Sequence, residues 1–170
     1  MSIEVFFQIV EALAVVVGVG FAMIQVRQYR RDKQREAAME LLHAFQTPSF
    51  ARALNIVYSM PDGLTKQEVE EFAGDDFHIL YAMTTTWESI GVLVHRGEVD
   101  LQLVDDFFSG PVIVSWQKLE NFVIGERKAV GRETINEWFQ WLKERLEETE
   151  SDAPPNPAHI EHKNWKAPKR

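Results

Sequence analysis

The sequence contains no cysteine. Disulfides, thiolate nucleophiles and cysteine-based zinc sites are therefore excluded. The absence does not fix a compartment, because cytosolic proteins need no disulfides. Also lacking are a glycine-rich phosphate loop, a GxSxG elbow and an HExxH pair. No stretch alternates apolar and polar residues as a half-buried strand would. "GVLVHRGEV" comes nearest, but it lies in helical register with Trp87. No internal repeat is visible. Between Ala12 and Ile24 there is no polar side chain, and between Val26 and Gln46 there is neither proline nor glycine.

What is present suits one domain with appendages: 170 residues, 45% of them apolar. The net charge of −8 is unevenly spread. Residues 1–26 carry only Glu4 and Glu11, whereas 27–35 carry Arg27, Arg30, Arg31, Lys33 and Arg35 against Asp32. Residues 36–150 hold 21 acids and 9 bases, a net −12. Residues 151–170 hold Lys163, Lys166, Lys169 and Arg170 against Asp152 and Glu161. A body at −12 repels phosphate backbones, so no nucleic-acid partner is expected. The basic block from Arg27 to Arg35 lies beside the apolar run, which points to lipid head groups.

That run, Val5 to Val26, is 22 residues, about 33 Å as a helix against a hydrocarbon core of about 30 Å. Its 13 Leu, Ile, Phe and Val residues each favour insertion by roughly 0.3–0.6 kcal/mol, and even a central acid would cost only roughly 3 kcal/mol. Glu11 is off-centre and can be protonated or reach the interface. A cleaved signal needs bases before the run and small residues after it, and here the bases follow. A buried core helix is the bland reading, but the run is long for that and flanked on one side only. The sequence therefore predicts a transmembrane helix over residues 1–26, spanning about 5–26, with the N-terminus outside. Residues 27–46 become a basic juxtamembrane helix, and everything after Arg27 lies in the cytoplasm.

At 100° per residue, Gln8, Glu11, Ala14, Val15, Gly18, Ala22 and Gln25 share one arc of about 120°. Ala14, Gly18 and Ala22 form a small-xxx-small ladder, which admits a second helix closely. The functional reading is a helix–helix interface through Glu11, Ala14, Gly18 and Ala22, in a homo-oligomer or with another membrane protein. The bland reading is that small residues are common in spans.

Residues 47–148 read as an acidic bundle of about five helices. Thr47-Pro48 caps the first, with Phe50, Leu54 and Val57 inward. "TKQE" at Thr65–Glu68 is a capping box. Asp75 or Asp76 is expected to cap a long helix whose inner face is Phe77, Leu80, Tyr81, Thr84, Trp87, Gly91 and Val94. Asp100 caps "LQLVDDFF", and Gly110-Pro111 is expected to start a separate helix. Gly131 breaks the chain, and "RETINEWFQWLKERLEE" closes the bundle with Ile135, Trp138, Phe139 and Leu142 inward. Leu41, Leu42 and Phe45 dock the juxtamembrane helix on the bundle. Residues 149–170 hold four prolines and read as a disordered tail.

A search for chemistry finds little. The five histidines are scattered, and Asp75, Asp76, Asp105 and Asp106 are explained by helix starts and solvated faces. No catalytic residues, metal ligands or cofactor are expected. Trp87, Phe107, Phe108, Trp116, Phe122, Trp138, Phe139 and Trp141 read as bundle core. One structural ion pair is expected, between Glu88 and Arg127.

The order of these features, and above all "WESIGVLVHRGEVDLQLVDDFFSGPVIVSWQKLENFV" from Trp87 to Val123, resembles a bacterial family of small membrane-anchored helical proteins catalogued as a domain of unknown function. The resemblance rests on Trp87–Gly91, Gly97, the helix from Asp100, and Trp116. It implies a bacterial inner-membrane setting and no particular activity. The expected function is thus a membrane-tethered interaction or signalling module that is not an enzyme and meets a cytoplasmic protein partner. An accessory subunit of a transporter or channel remains the alternative.

Overall fold

The computed structural model describes residues 3–149 and 158–167; within the first helix it describes no side chain at 4–7, 9–12, 30, 31, 34, 35, 37–42 or 44. The described residues are all-helical, with no strand: α1 (Ile3–Phe45), α2 (Pro48–Ser59), α3 (Lys66–Ala73), α4 (Phe77–His95), α5 (Leu101–Val130), α6 (Glu137–Thr149) and the single turn α7 (Ala158–Glu161).

Local sequence sets most boundaries. Thr47 accepts a hydrogen bond from the Phe50 N–H at 3.3 Å, and Pro48 occupies the first turn, where its missing N–H costs nothing. Thr65 and Glu68 exchange side-chain and backbone bonds at the start of α3. Asp100 accepts from the Gln102 N–H at 3.0 Å. Gly131 takes φ 69°, the left-handed conformation that ends α5 at little cost to glycine.

Two expectations fail. Asp76 stands at the cap position of α4 but makes no cap bond. Its carboxylate pairs with Arg52 at 2.6 Å, tying α4 to α2. Nor does the chain break at Gly110-Pro111, because α5 runs through it as one helix of 30 residues. Gly110 has no Cβ to strike the proline ring, which relaxes the usual bar on a helical residue before proline. The buried residues Val104, Phe108, Val112, Ser115, Trp116, Leu119, Phe122 and Val123 form one continuous stripe across the junction. Burying that stripe as a single face outweighs the hydrogen bond lost at Pro111.

In the bundle, α2 and α6 each pack against both α4 and α5, and α3 leans on α5. Trp87 on α4 is fully buried. Its ring meets Phe50 of α2 at 5.3 Å, Phe108 of α5 at 6.3 Å, Phe139 of α6 at 6.4 Å and Phe45 of α1 at 5.0 Å. Phe45 also stacks on Phe108 at 3.8 Å and meets Phe50 edge-on at 4.5 Å. One turn on from Trp87, Gly91 is buried beneath α6, and a Cβ there would collide with the Trp138 carbonyl. Where composition predicts an unstructured tail, residues 158–161 form α7.

Gly91→Ala should lose about 1–3 kcal/mol of stability through that overlap, read by urea unfolding followed by circular dichroism. Gly20→Ala, with open space around its Cβ position, should lose nothing.

Candidate functional site

Among the described residues the longest run of exposed apolar side chains is on α1. From Leu13 to Tyr29 every residue is exposed. Leu13, Val15, Val16, Val17, Val19, Phe21, Met23, Ile24 and Val26 are each more than half exposed. They point to all sides of the helix, so no single neighbouring face could cover them. Removing them from water would be worth on the order of 10 kcal/mol. Val19, Ala22, Met23, Val26 and Arg27 line a shallow apolar concavity at the Arg27 end of this stretch. Among the described residues no helix is long and apolar enough to cross a membrane. The described side chains cover only the Leu13–Val26 part of the run, since those at 5–7 and 9–12 lie outside the described residues.

Ala14, Gly18 and Ala22 lie four residues apart on unbroken α1, all exposed, with nothing within 4 Å of a Cβ added at Gly18. The Glu11 side chain lies outside the described residues, as do those of Arg30, Arg31 and Arg35. Arg27 is exposed. Lys33 pairs with Glu36 at 3.1 Å, an exposed contact worth little in water and readily exchanged for another anion.

Glu88 and Arg127 are brought to the same end of α6, but each holds backbone there. Glu88 accepts a hydrogen bond from the Phe139 N–H at 2.7 Å. It thereby supplies from α4 the acceptor that the first turn of α6 needs. Arg127 donates through Nε to the Ile135 carbonyl at 2.9 Å, through Nη1 to Gln140 Oε1 at 2.9 Å and through Nη2 to the Asn136 carbonyl at 3.4 Å. No ion pair within 4.0 Å joins the two among the described residues. Two polar side chains thus clamp the turn in which Asn136 takes φ 53°.

Sequence reasoning missed a second polar group. Glu126 is buried on α5, with Lys66 Nζ of α3 at 2.7 Å. Gly125 permits this approach, since a Cβ there would fall 2.9 Å from the Lys66 Cβ. Burial pushes the Glu126 carboxyl up, but hydrogen bonding to Lys66, the Tyr81 hydroxyl and the lysine charge outweigh it and leave it below its ordinary value. Lys66 is held above its usual value, chiefly by Glu126. For Glu88 the balance is reversed. Burial pushes it up and Glu137 adds to this, against the Phe139 and Trp138 N–H groups and the charge of Arg127. A signal for Glu126 was present: it continues the stripe Leu119, Phe122, Val123, where a carboxylate needs a partner.

At the α4–α6 face, His95 lies 4.6 Å from the Trp138 ring and 5.7 Å from Trp141, with Arg145 over Trp141 at 6.0 Å. Among the described residues no three His, Asp or Glu side chains converge in a way that could hold a metal.

The two carboxylates should give opposite pH signatures. Glu126, depressed in the folded state, contributes stability above the ordinary carboxylate value that is lost as pH falls through its folded value. Glu126→Gln should therefore be less stable than wild type by about 2 kcal/mol near neutral pH, with the gap closing in acid. Glu88, raised in the folded state, contributes stability in acid that is lost as pH rises through its folded value. Glu88→Gln should gain on wild type as pH rises to neutrality. Thermal unfolding across pH reads both, and gaps independent of pH would overturn the assignment.

Residues 12–146 match the family model described as "Domain of unknown function (DUF4760)". The match begins inside the apolar run and ends within α6. No curated protein and no solved structure matches the chain.

Proposed function

The chain belongs to the DUF4760 family, and on that premise we propose that it is a single-pass protein of the bacterial inner membrane, presenting the α2–α6 bundle to the cytoplasm as an interaction or signalling module. The observation that carries this reading is the all-round exposure of apolar side chains from Leu13 to Val26, next to the bases that begin at Arg27. A bilayer covers every side of a helix at once, which a single protein groove does not. Arg27, Arg30, Arg31, Lys33 and Arg35 would then lie at the head groups and hold the bundle on the cytoplasmic side.

Two features serve the bundle's role as a module. Its core is closed and its surface acidic, which suits a protein partner rather than a buried small substrate. Phe45, the last residue of α1, packs against that core and stacks on Phe108, so the anchor and the module share one packing unit. Within the membrane, Ala14, Gly18 and Ala22, with Glu11 toward the outer end, form the face through which the span meets a second copy or another span.

Expressed in bacteria, the chain should sediment with membranes and resist carbonate extraction, while Val17→Arg with Phe21→Arg should move it to the soluble fraction. A wild-type chain that is soluble and monodisperse without detergent would refute the anchor. In membranes, Gly18→Leu should reduce crosslinked dimer or partner bands several-fold, and unchanged bands would remove the stripe from the interface.

A further inference from the structure

The far end of the chain carries a second apolar and basic feature. Residues 158–165 fold as successive turns. The His162 N–H donates to the Ala158 carbonyl at 2.9 Å, the Lys163 N–H to Ile160 at 3.4 Å and the Trp165 N–H to His162 at 2.9 Å. Backbone groups that find partners within the segment lower the cost of leaving water. Ile160 is 56% exposed and Trp165 68% exposed. Lys163 and Lys166 are exposed too, and among the described residues neither pairs with a carboxylate. A tryptophan and an isoleucine set among lysines on an internally bonded turn are what a membrane–water boundary accommodates.

Charge narrows the occupant. From Ala158 onward the bases Lys163, Lys166, Lys169 and Arg170 stand against Glu161 alone. Two surfaces attract such a segment: the chain's own body, at −12 over residues 36–150, and an anionic bilayer. The bilayer takes up Ile160 and Trp165 without a preformed groove, whereas the bundle core is already filled by its own side chains and offers them only surface residues such as Phe107 and Val130. The chain between Thr149 and Ala158 reaches up to about 30 Å when extended.

We propose that the segment from Ala158 onward docks on the anionic lipid surface of the membrane that holds α1, through Ile160 and Trp165 as apolar anchors and Lys163 and Lys166 as head-group contacts. It rests on the membrane reading of α1 and gives the chain a second attachment beyond the bundle.

Because the chain has no cysteine, Asn164→Cys carries a single environment-sensitive label. The full chain is reconstituted in nanodiscs of phosphatidylcholine alone or mixed with phosphatidylglycerol, with brominated lipid as quencher. The expected result is blue-shifted, quenched emission in the anionic discs only. The docking constant should fall about thirtyfold in Lys163→Ala/Lys166→Ala, at about 1 kcal/mol per lysine, and several-fold in Trp165→Ala. Equal emission in both discs would overturn the proposal. So would a blue shift that persists in lipid-free detergent and disappears with salt, which would seat the segment on the acidic body. Carbonate extraction of membranes from bacteria expressing the labelled variant reads α1 separately: a chain that washes off those membranes while its label still responds to anionic discs refutes the anchor and keeps the docking.

Discussion

The bundle is organised around the burial of one ring. Trp87 is fully buried, and the aromatic side chains around it come from α1, α2, α5 and α6. Each of those helices must present a ring at the level of Trp87, which sets their heights relative to one another. The indole Nε1 finds no hydrogen-bond partner among the described residues. An unpaired buried donor costs about 1–3 kcal/mol, so the shape of this ring is retained against a polar penalty. The neighbouring turn adds a second constraint, because Gly91 lets the α6 backbone approach closer than any side chain would permit.

Around this apolar centre the polar contacts act as fasteners for backbone. Glu88 holds the start of α6, Arg127 holds the turn before it, and Lys118 reaches the Met60 carbonyl at 2.7 Å, where α2 ends. Asn121 does the same for the Gly63 carbonyl at 2.9 Å. Side chains of α4 and α5 thus position the loops and helix starts of the shorter elements. The ion pair between partly exposed Lys66 and buried Glu126 belongs to the same scheme, binding the first turn of α3 to α5. These groups are occupied in fastening the bundle, so the exposed apolar surface of α1 carries the functional reading.

Local grammar was legible in the sequence. Thr47-Pro48, the Thr65–Glu68 box, Asp100 and Gly131 act where their chemistry places them, because caps depend on a few adjacent residues. The inward placement of Trp87, Phe139 and Leu142 followed from helical spacing. What the sequence did not disclose depends on contacts between distant segments. Asp76 leaves its cap role for Arg52, and Glu88 and Arg127 each bind backbone of the α5–α6 connection rather than each other. Pro111 fails to break α5 because the stripe on either side of it is buried as one face, a tertiary gain that no local rule weighs. The α1 stripe was legible as spacing in Ala14, Gly18 and Ala22, while its Glu11 end lies outside the described side chains.

Phe45 changes where the folding unit begins. The sequence punctuates at Thr47-Pro48, and a cut there would look clean. Yet the ring just before it stacks on Phe108 and abuts Trp87. The bundle core is therefore covered at this point by a ring from the helix outside it. No proline or glycine lies between Val26 and Gln46 to act as a swivel. A turn of the exposed half of α1 about its own axis would then be felt as torque on the aromatic stack, as a key shaft moves its bit.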